Sequence, residues 1–573
     1  MSAGLAEDAE EQVRVRRAVA APSAETLVIA ACAAVACALR GYQLARPGYL
    51  LGLTEYDDGV LFGNALRLVS GVVPYRDFAM VQPPGSMLLI APVALLAKVS
   101  GTAWGLAAAR VLTASADTGN AILLGLLVRH RGPLAAGVAS GLYAVDPDAI
   151  TAAHTFLLEP WLNLFCLAGA LLIVDGDRVT ADARRLAWGG AAFGFAAAIK
   201  IWALVPLGVV ALLLAATARR SRSRSRRRRP RPVAALAGGA ALGLGLPLLP
   251  FVALAPGAVV RGVVISQEVR NADGHGSPLG RLADLTGLQL LPVRADRGLA
   301  LLVIAVAVTA GYAAVYLAAR RRPAALVAHA LDAHALDAHG PDAHGPDTYS
   351  LDTYALAGAV AVTAMFLWPR LYYSHYGAFD GPFLALAVAL PAGRLVTGRL
   401  VTGGPAASRE AAASRWTAAA LTALVLVLGA AVALQFRAES ALRGVPAPAA
   451  ADRLIPPGAC VLTNDPAYTV AVDRFYSDAP GCPAMVDSFG TLIALTSGRS
   501  RDTAAPVLRP VVELWRADLG RAGYVWLTGD TAGQIPWTGP LDAYFRGHFR
   551  LIGLTQPHSS SRLIPRPGLY VRR

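Results

Sequence analysis

Asp57 and Asp58 stand side by side in LTEYDDGVLFGNALRLVSGVVPYRDFAMVQPPG, the stretch from Leu53 to Gly85, which also carries Arg76, Asp77 and Gln82. An ionised carboxylate beside a substrate hydroxyl can take its proton as a new bond forms, help worth typically about 10²–10⁴-fold in rate. A nearby cation can take up the charge that develops on a departing phosphate. Three other connections carry residues of the same kinds. DPDAITAAHTFLLEPW holds His154 and Glu159, Lys200 falls between FGFAAAI and IWALVPL, and WPRLYYSHYGAFDGP holds Arg370, Tyr372, Tyr373, His375, Tyr376 and Asp380. Each has a plainer reading. Asp57 can cap a helix and Asp58 complement its dipole, Lys200 can snorkel to the surface, and the tyrosines can form an interfacial belt.

The elements that must position these residues are apolar. Of 573 residues 55% are hydrophobic and 16% charged, against about a quarter charged in soluble domains. Windows of about 18–20 apolar residues recur along the chain, as in a polytopic α-helical membrane protein. The first, Leu27 to Leu44, lacks a small-residue cleavage pattern and reads as a retained helix. The net charge of +14 does not point to nucleic acid, because nine arginines lie in one acid-free run, RRSRSRSRRRRPRP, Arg219 to Pro232. Between apolar segments such a run is a cytoplasmic loop in contact with membrane lipids.

About eleven transmembrane helices are expected: the first, then 104–128, 133–147, 157–174, 186–199, 201–217, 233–254, 298–319, 355–368, 377–395 and 417–435. Gly85 to Gly101 is short, holds Pro92 and ends near Lys98, so it reads as dipping into the outer leaflet. This puts every basic loop inside and Asp57, Asp58, Glu159 and Lys200 outside. Residues 1–25 form a cytoplasmic tail and 26–435 the transmembrane part, with an acidic outer loop at 47–84, the basic loop at 219–232 and a low-complexity loop at 320–354. The last contains pentads from Ala330 to Tyr354, with His334, His339 and His344 five residues apart. A period of five matches neither helix nor strand, and an expanded, disordered connector is expected. Residues 436–573 turn polar, with β-rich runs ACVLTND, AGYVWLTGD, FRLIGLTQ and GLYVRR around a helical PVVELWRADLGRAG. This reads as a small extracytoplasmic α/β domain without a catalytic motif. On that side Cys460 and Cys482 can form a disulfide.

EYDDG, PYRDF, QPPGSMLL, HTFLLEPWLNL, GAAFGFAAAIKIWALVPL and YYSHYGAFDGPFLALAVAL follow one another as in the membrane-embedded GT-C glycosyltransferases. The resemblance spans roughly residues 25–435 and is greatest to the branch of protein O-mannosyltransferases and the lipid A aminoarabinose transferase. It implies a multi-pass protein of the cell membrane that moves a sugar from a polyprenyl-phosphate donor, on the outer face and usually with inversion, to an envelope glycan, lipid or protein acceptor. It implies Asp57 as the catalytic base or acceptor-orienting residue, with Asp58 at the neighbouring acidic position. It implies Glu159 at the second acidic loop position, Lys200 on the donor phosphate, and His375 and Tyr376 along the donor cavity. Gln82 stands where the aminoarabinose branch commonly has lysine, which moves phosphate contacts to Arg76 or Lys200. Asp77, His154, Arg370 and Tyr373 are expected in substrate binding. A divalent metal stays open, since some distant members need one and others do not. Two alternatives are a flippase for lipid-linked sugars and a non-catalytic envelope scaffold.

Overall fold

Helix α1, Ala24–Leu44, starts where Ser23 accepts a hydrogen bond from the Thr26 amide, a side-chain cap for an otherwise unpaired donor. Its buried stripe, Ile29, Cys32, Ala36, Leu39, Arg40 and Gln43, recurs every three or four residues and so lies on one face. The outer face is apolar as well, with Leu27 56% exposed. A helix apolar all round suits a membrane span. The computed structural model describes residues 22–222, 231–269, 278–285, 351–368, 372–399, 406–496, 505–529, 534–556 and 565–573.

After α1 come α2 (Tyr56–Val69), α3 (Gly85–Ser100), α4 (Thr102–Val128), α5 (Pro133–Ala144), a short α6 (Pro147–Ala153), α7 (Glu159–Ile173), α8 (Ala183–Ile199), α9 (Leu204–Arg222) and α10 (Arg231–Leu254). Then follow α11 (Leu351–Leu367), α12 (Gly377–Arg399) and α13 (Ala406–Ser440). Among the described residues, helices occupy ten of the eleven expected positions, and 298–319 lies outside them. Four are long and apolar enough to cross a membrane: Ala24–Leu44, Thr102–Arg131, Pro232–Leu254 and Arg415–Ser440. Others, such as Pro133–Ala144, are apolar but shorter than the ~20 residues a straight crossing needs. Eleven full spans are therefore more than helix length by itself supports.

Helices α8 and α10 meet backbone to backbone. A Cβ at Gly190 would lie 2.1 Å from the Leu236 carbonyl oxygen, and one at Gly239 1.9 Å from that of Ala187. Gly190 with Gly194, and Gly239 with Gly243, repeat the four-residue spacing of small residues that lets apolar helices approach closely. This contact fixes where α8 runs, and Lys200 is the residue that ends it.

Helix α3 is the segment expected to dip. A Cβ at its first residue, Gly85, would touch the Ala198 backbone, two positions before Lys200. Just past its other end, Thr102 and Ala103 hydrogen-bond Asp473 of the C-terminal region. Lys200 itself shares a cavity with Asp487 of that region, so both ends of α3 lie at one end of the molecule.

The opposite end is tied by arginine. Arg131 donates to Asp177, in the hairpin of β1 (Val174–Asp175) and β2 (Arg178–Val179), at 2.7 Å. It also grips both carboxylate oxygens of Asp352 at 2.8 and 2.7 Å. This corrects one expectation: the last pentad is not a disordered connector, because α11 begins at Leu351 and Asp352 is pinned in its first turn. The earlier pentads, with their histidines, and most of the arginine run lie outside the described residues.

The C-terminal region is built on a four-stranded sheet of order β3-β4-β6-β5. β3 (Val461–Thr463) runs parallel to β4 (Tyr524–Leu527), while β6 (Gly568–Arg572) is antiparallel to β4 and to β5 (Phe549–Gly553). Helices α14 (Pro466–Ala471), α15 (Ser488–Thr496), α16 (Ala505–Arg521) and α17 (Gly539–His548) surround it. Trp515 and Trp526 are fully buried, and Cys460 and Cys482 are joined by a disulfide. Helix α14 lies directly on α2: a Cβ at Gly59 would come within 2.3 Å of the Ala467 nitrogen. The sheet region is thus docked on the helix that carries the paired aspartates.

Candidate active site

Asp57 and Asp58 both occupy the first turn of α2, where acids complement the helix dipole. The residue at the cap is Glu55, whose side chain makes no capping bond. Successive residues point about 100° apart around a helix, and the two aspartates consequently meet different surroundings. Asp57 is half-buried and lines a cavity, and among the described residues its carboxylate makes no hydrogen bond or ion pair.

Asp58 is fully buried. Its Oδ2 accepts from Arg110 Nη2 at 2.5 Å, from Arg110 Nε at 3.1 Å, from Thr54 at 3.1 Å and from Thr155. Arg110 also donates to the carbonyls of Tyr49, Leu50 and Gly52 at 2.7–3.0 Å. A catalytic role is expected for Asp58 from the sequence; its Oδ2 is taken up by Arg110, and the residue stands outside the cavity lining. It positions the loop before α2.

The cavity collects residues from distant connections. Glu159 opens α7 and pairs with Lys200 at 2.7 Å, both buried. The Lys200 ammonium also lies 3.4 Å from the ring centre of Trp202 and 4.2 Å from that of Tyr376, a cation on aromatic faces. Gln82 contributes a buried amide oxygen with no hydrogen-bond partner among the described residues. His375 and Tyr376 reach the cavity from a 3₁₀ turn, Ser374–Tyr376, ahead of α12. Among the described residues no three His, Cys, Asp or Glu side chains are placed to hold a metal ion together.

Several expected residues are not brought there. Arg76 and Asp77 pair with each other on the surface, at 2.8 Å, where Asp77 also accepts from the Val73 amide at 2.7 Å and locks the loop. The Arg76 contact and that amide hold the Asp77 carboxyl below its ordinary value. His154 packs edge-on against Tyr49, 5.4 Å between ring centres, away from the cavity lining. Burial pushes its imidazole down to about 4, so it is neutral at pH 7. Tyr373 stacks on His375 from outside, at 5.6 Å, and is 40% exposed. Arg370 lies outside the described residues.

Among the lining residues that escaped the sequence reading are Asp487 and Phe489. The Asp487 carboxylate accepts from Tyr56 Oη at 2.8 Å and from the Gly490 amide at 2.7 Å. In the sequence, VDSFG shows only an Asp placed to cap α15. Arg110 escaped too, although an arginine inside an apolar run is the same signal that singled out Lys200. Glu55 stands next to these groups, and burial, then Asp57, Asp58 and Glu159, raise its carboxyl to about 7.

No protein-family description matches the chain, and no curated protein is similar to it. Among solved structures it is similar to ArnT from Cupriavidus metallidurans in the apo state, with 14% identity over 96% of this chain and 98% of that one, at a TM-score of 0.49. It is also similar to the Archaeoglobus fulgidus oligosaccharyltransferase complex with zinc and sulfate, with 14% identity over 87% of this chain and 67% of that one, at a TM-score of 0.46. The third is the S. cerevisiae protein O-mannosyltransferase Pmt1-Pmt2 complex bound to the sugar donor. There identity is 20% over 41% of this chain, the TM-score is 0.32, and the match spans a third of that chain's length (33%).

Proposed function

We propose that this chain is a membrane glycosyltransferase that moves a sugar from a polyprenyl-phosphate donor to an envelope glycan, lipid or protein acceptor. Asp57 is the general base. It takes the proton of the acceptor hydroxyl as that oxygen attacks the anomeric carbon, the bond from that carbon to the phosphate oxygen breaks, and polyprenyl phosphate leaves from the opposite face, inverting the centre. Lys200, held by Glu159 and flanked by Trp202 and Tyr376, meets the charge that grows on the phosphate. The observation that carries the reading is convergence: Asp57 with Gln82, then Glu159, Lys200 and His375, come from four connections and line one cavity. Among the described residues, three carboxylates face it (Asp57, Glu159 and Asp487) with one lysine, a balance suited to removing a proton. The site faces outward at the cytoplasmic membrane, because Arg131 and Arg185, with the β1–β2 hairpin they hold, lie at the other end.

The test is transfer of radiolabelled sugar from a panel of undecaprenyl-phosphate sugars to endogenous acceptors in membrane fractions. Asp57→Asn, inserted to the wild-type level, is expected to lose about 10²–10⁴-fold of the transfer rate. Full activity in that variant overturns the assignment.

A further inference from the structure

We infer that Asp487 and Phe489, contributed by the C-terminal region, form the part of this cavity that reads the sugar ring, and that they favour a sugar without an acidic group. The inference rests on the glycosyltransferase reading and goes beyond it, since it makes the sheet region a determinant of donor choice.

The turn that carries both residues is built to hold them still. Asp487 is 6% exposed and bonded to Tyr56 Oη and the Gly490 amide. Burial and the neighbouring Asp487 push the Tyr56 hydroxyl well above its ordinary value, so it stays an O–H donor. Between Asp487 and Phe489, Ser488 Oγ lies 2.8 Å from the Asn464 carbonyl oxygen and 2.6 Å from Gln534 Oε1, which ties the turn to the loops of the sheet. A carboxylate of fixed orientation accepts hydrogen bonds from ring hydroxyls, and an aromatic face packs on the apolar side of the ring. A few placed polar groups within an apolar lining are the usual means of fixing a small ligand's orientation.

A phosphate anion is attracted by Lys200, the cation among the described lining residues, which leaves the ring to the rest of the lining, Asp487 and Phe489 included. The carboxylates of Asp57, Glu159 and Asp487 lining the same cavity disfavour a uronate.

The experiment measures equilibrium binding of the full-length chain in detergent to bare undecaprenyl phosphate and to undecaprenyl phosphate carrying mannose, glucose, arabinose or glucuronate. The wild type is expected to bind at least one neutral-sugar lipid more tightly than the bare lipid or the glucuronate form. Asp487→Asn keeps the oxygen that Tyr56 and Gly490 contact, and Phe489→Leu keeps an apolar side chain, so both should fold. Each is expected to lose about ten- to a hundredfold of the sugar-dependent preference while its affinity for the bare lipid stays within about twofold. Variants that keep the wild-type preference overturn the inference and leave the glycosyltransferase reading intact. Equal loss for bare and sugar-bearing lipid makes the turn structural and also overturns it, as does a wild-type preference for glucuronate. A wild type that binds none of these lipids sinks the glycosyltransferase reading and this inference together.

Discussion

Two buried ion pairs stand at the same end of the helix array and are built for different ends. In the first, Arg110 spends all three of its nitrogens on Asp58, Thr54, Thr155 and the carbonyls of residues 49, 50 and 52. A planar, five-donor guanidinium gathers a loop in this way, and no part of it faces the cavity. In the second, Lys200 meets Glu159 and two aromatic faces at the cavity wall. A compact ammonium in that setting is a buried point charge on the cavity wall. The difference explains why adjacent aspartates diverge. Asp58 holds the loop through its Oδ2, and Asp57, one residue away, lines the cavity.

Breaking the first pair should have the largest effect. Arg110→Ala leaves Asp58 buried without its counter-charge, which costs about 3–5 kcal/mol, whereas Asp57→Asn, at a half-buried carboxylate without partners, should change stability by no more than about 0.5 kcal/mol. Unfolding of the two purified variants in one detergent, followed side by side, measures the contrast. Equal losses would erase the distinction between anchor and presented group.

Changing the second pair should act on binding as well as on folding, since Glu159 is left buried without its counter-charge. Lys200→Gln removes the charge and keeps a polar end for Glu159. It is expected to weaken affinity for radiolabelled undecaprenyl phosphate by about ten- to a hundredfold, the range for a charge-assisted contact. Arg76→Gln, by contrast, should leave that affinity unchanged, because Arg76 is turned onto Asp77 at the surface. Were Arg76→Gln the more damaging of the two, the phosphate would have to bind at the surface loop and not in the cavity.

How far the sequence disclosed this site depended on how local each signal was. Lys200 was legible because a lone cation in an apolar run is costly and the glycine spacing before it marks a close helix contact. Asp57 was legible as half of a pair, but which half faces the cavity is decided by Arg110, more than fifty residues away along the chain. Asp487 was hidden for the opposite reason: as a helix-capping Asp it has a sufficient local explanation, and only the docking of α14 on α2 brings it to Tyr56. Arg76 misled because a loop cation can close on its neighbour. The strands near 461, 524, 549 and 568 followed from short apolar runs with turn residues between them, whereas their order, with β6 between β4 and β5, is set by packing that no local run encodes.

The smallest effect is a matter of slope, and it sharpens the same contrast between sealed and open surroundings. His154 lies on the sealed side, and burial lowers it from 6.5 to about 4. As pH falls below 6.5 the unfolded chain takes up a proton that the native chain refuses, so this stabilisation is complete above 6.5 and is lost towards pH 4. Glu55, between the sealed loop and the cavity, is raised from 4.5 to about 7, first by burial and then by the acids around it. The unfolded chain releases that proton near 4.5 while the native chain keeps it, so this contribution is complete below 4.5 and is lost as pH rises to 7. Between about 4.5 and 6.5 the two slopes oppose each other, each up to about 1.4 kcal/mol per pH unit, and nearly cancel in the wild type. His154→Gln should therefore give a protein whose stability falls as pH rises through this window, and Glu55→Gln one whose stability climbs. Unfolding midpoints taken every half pH unit for the three proteins decide it, since parallel curves would mean that neither group differs in protonation between the folded and unfolded chain.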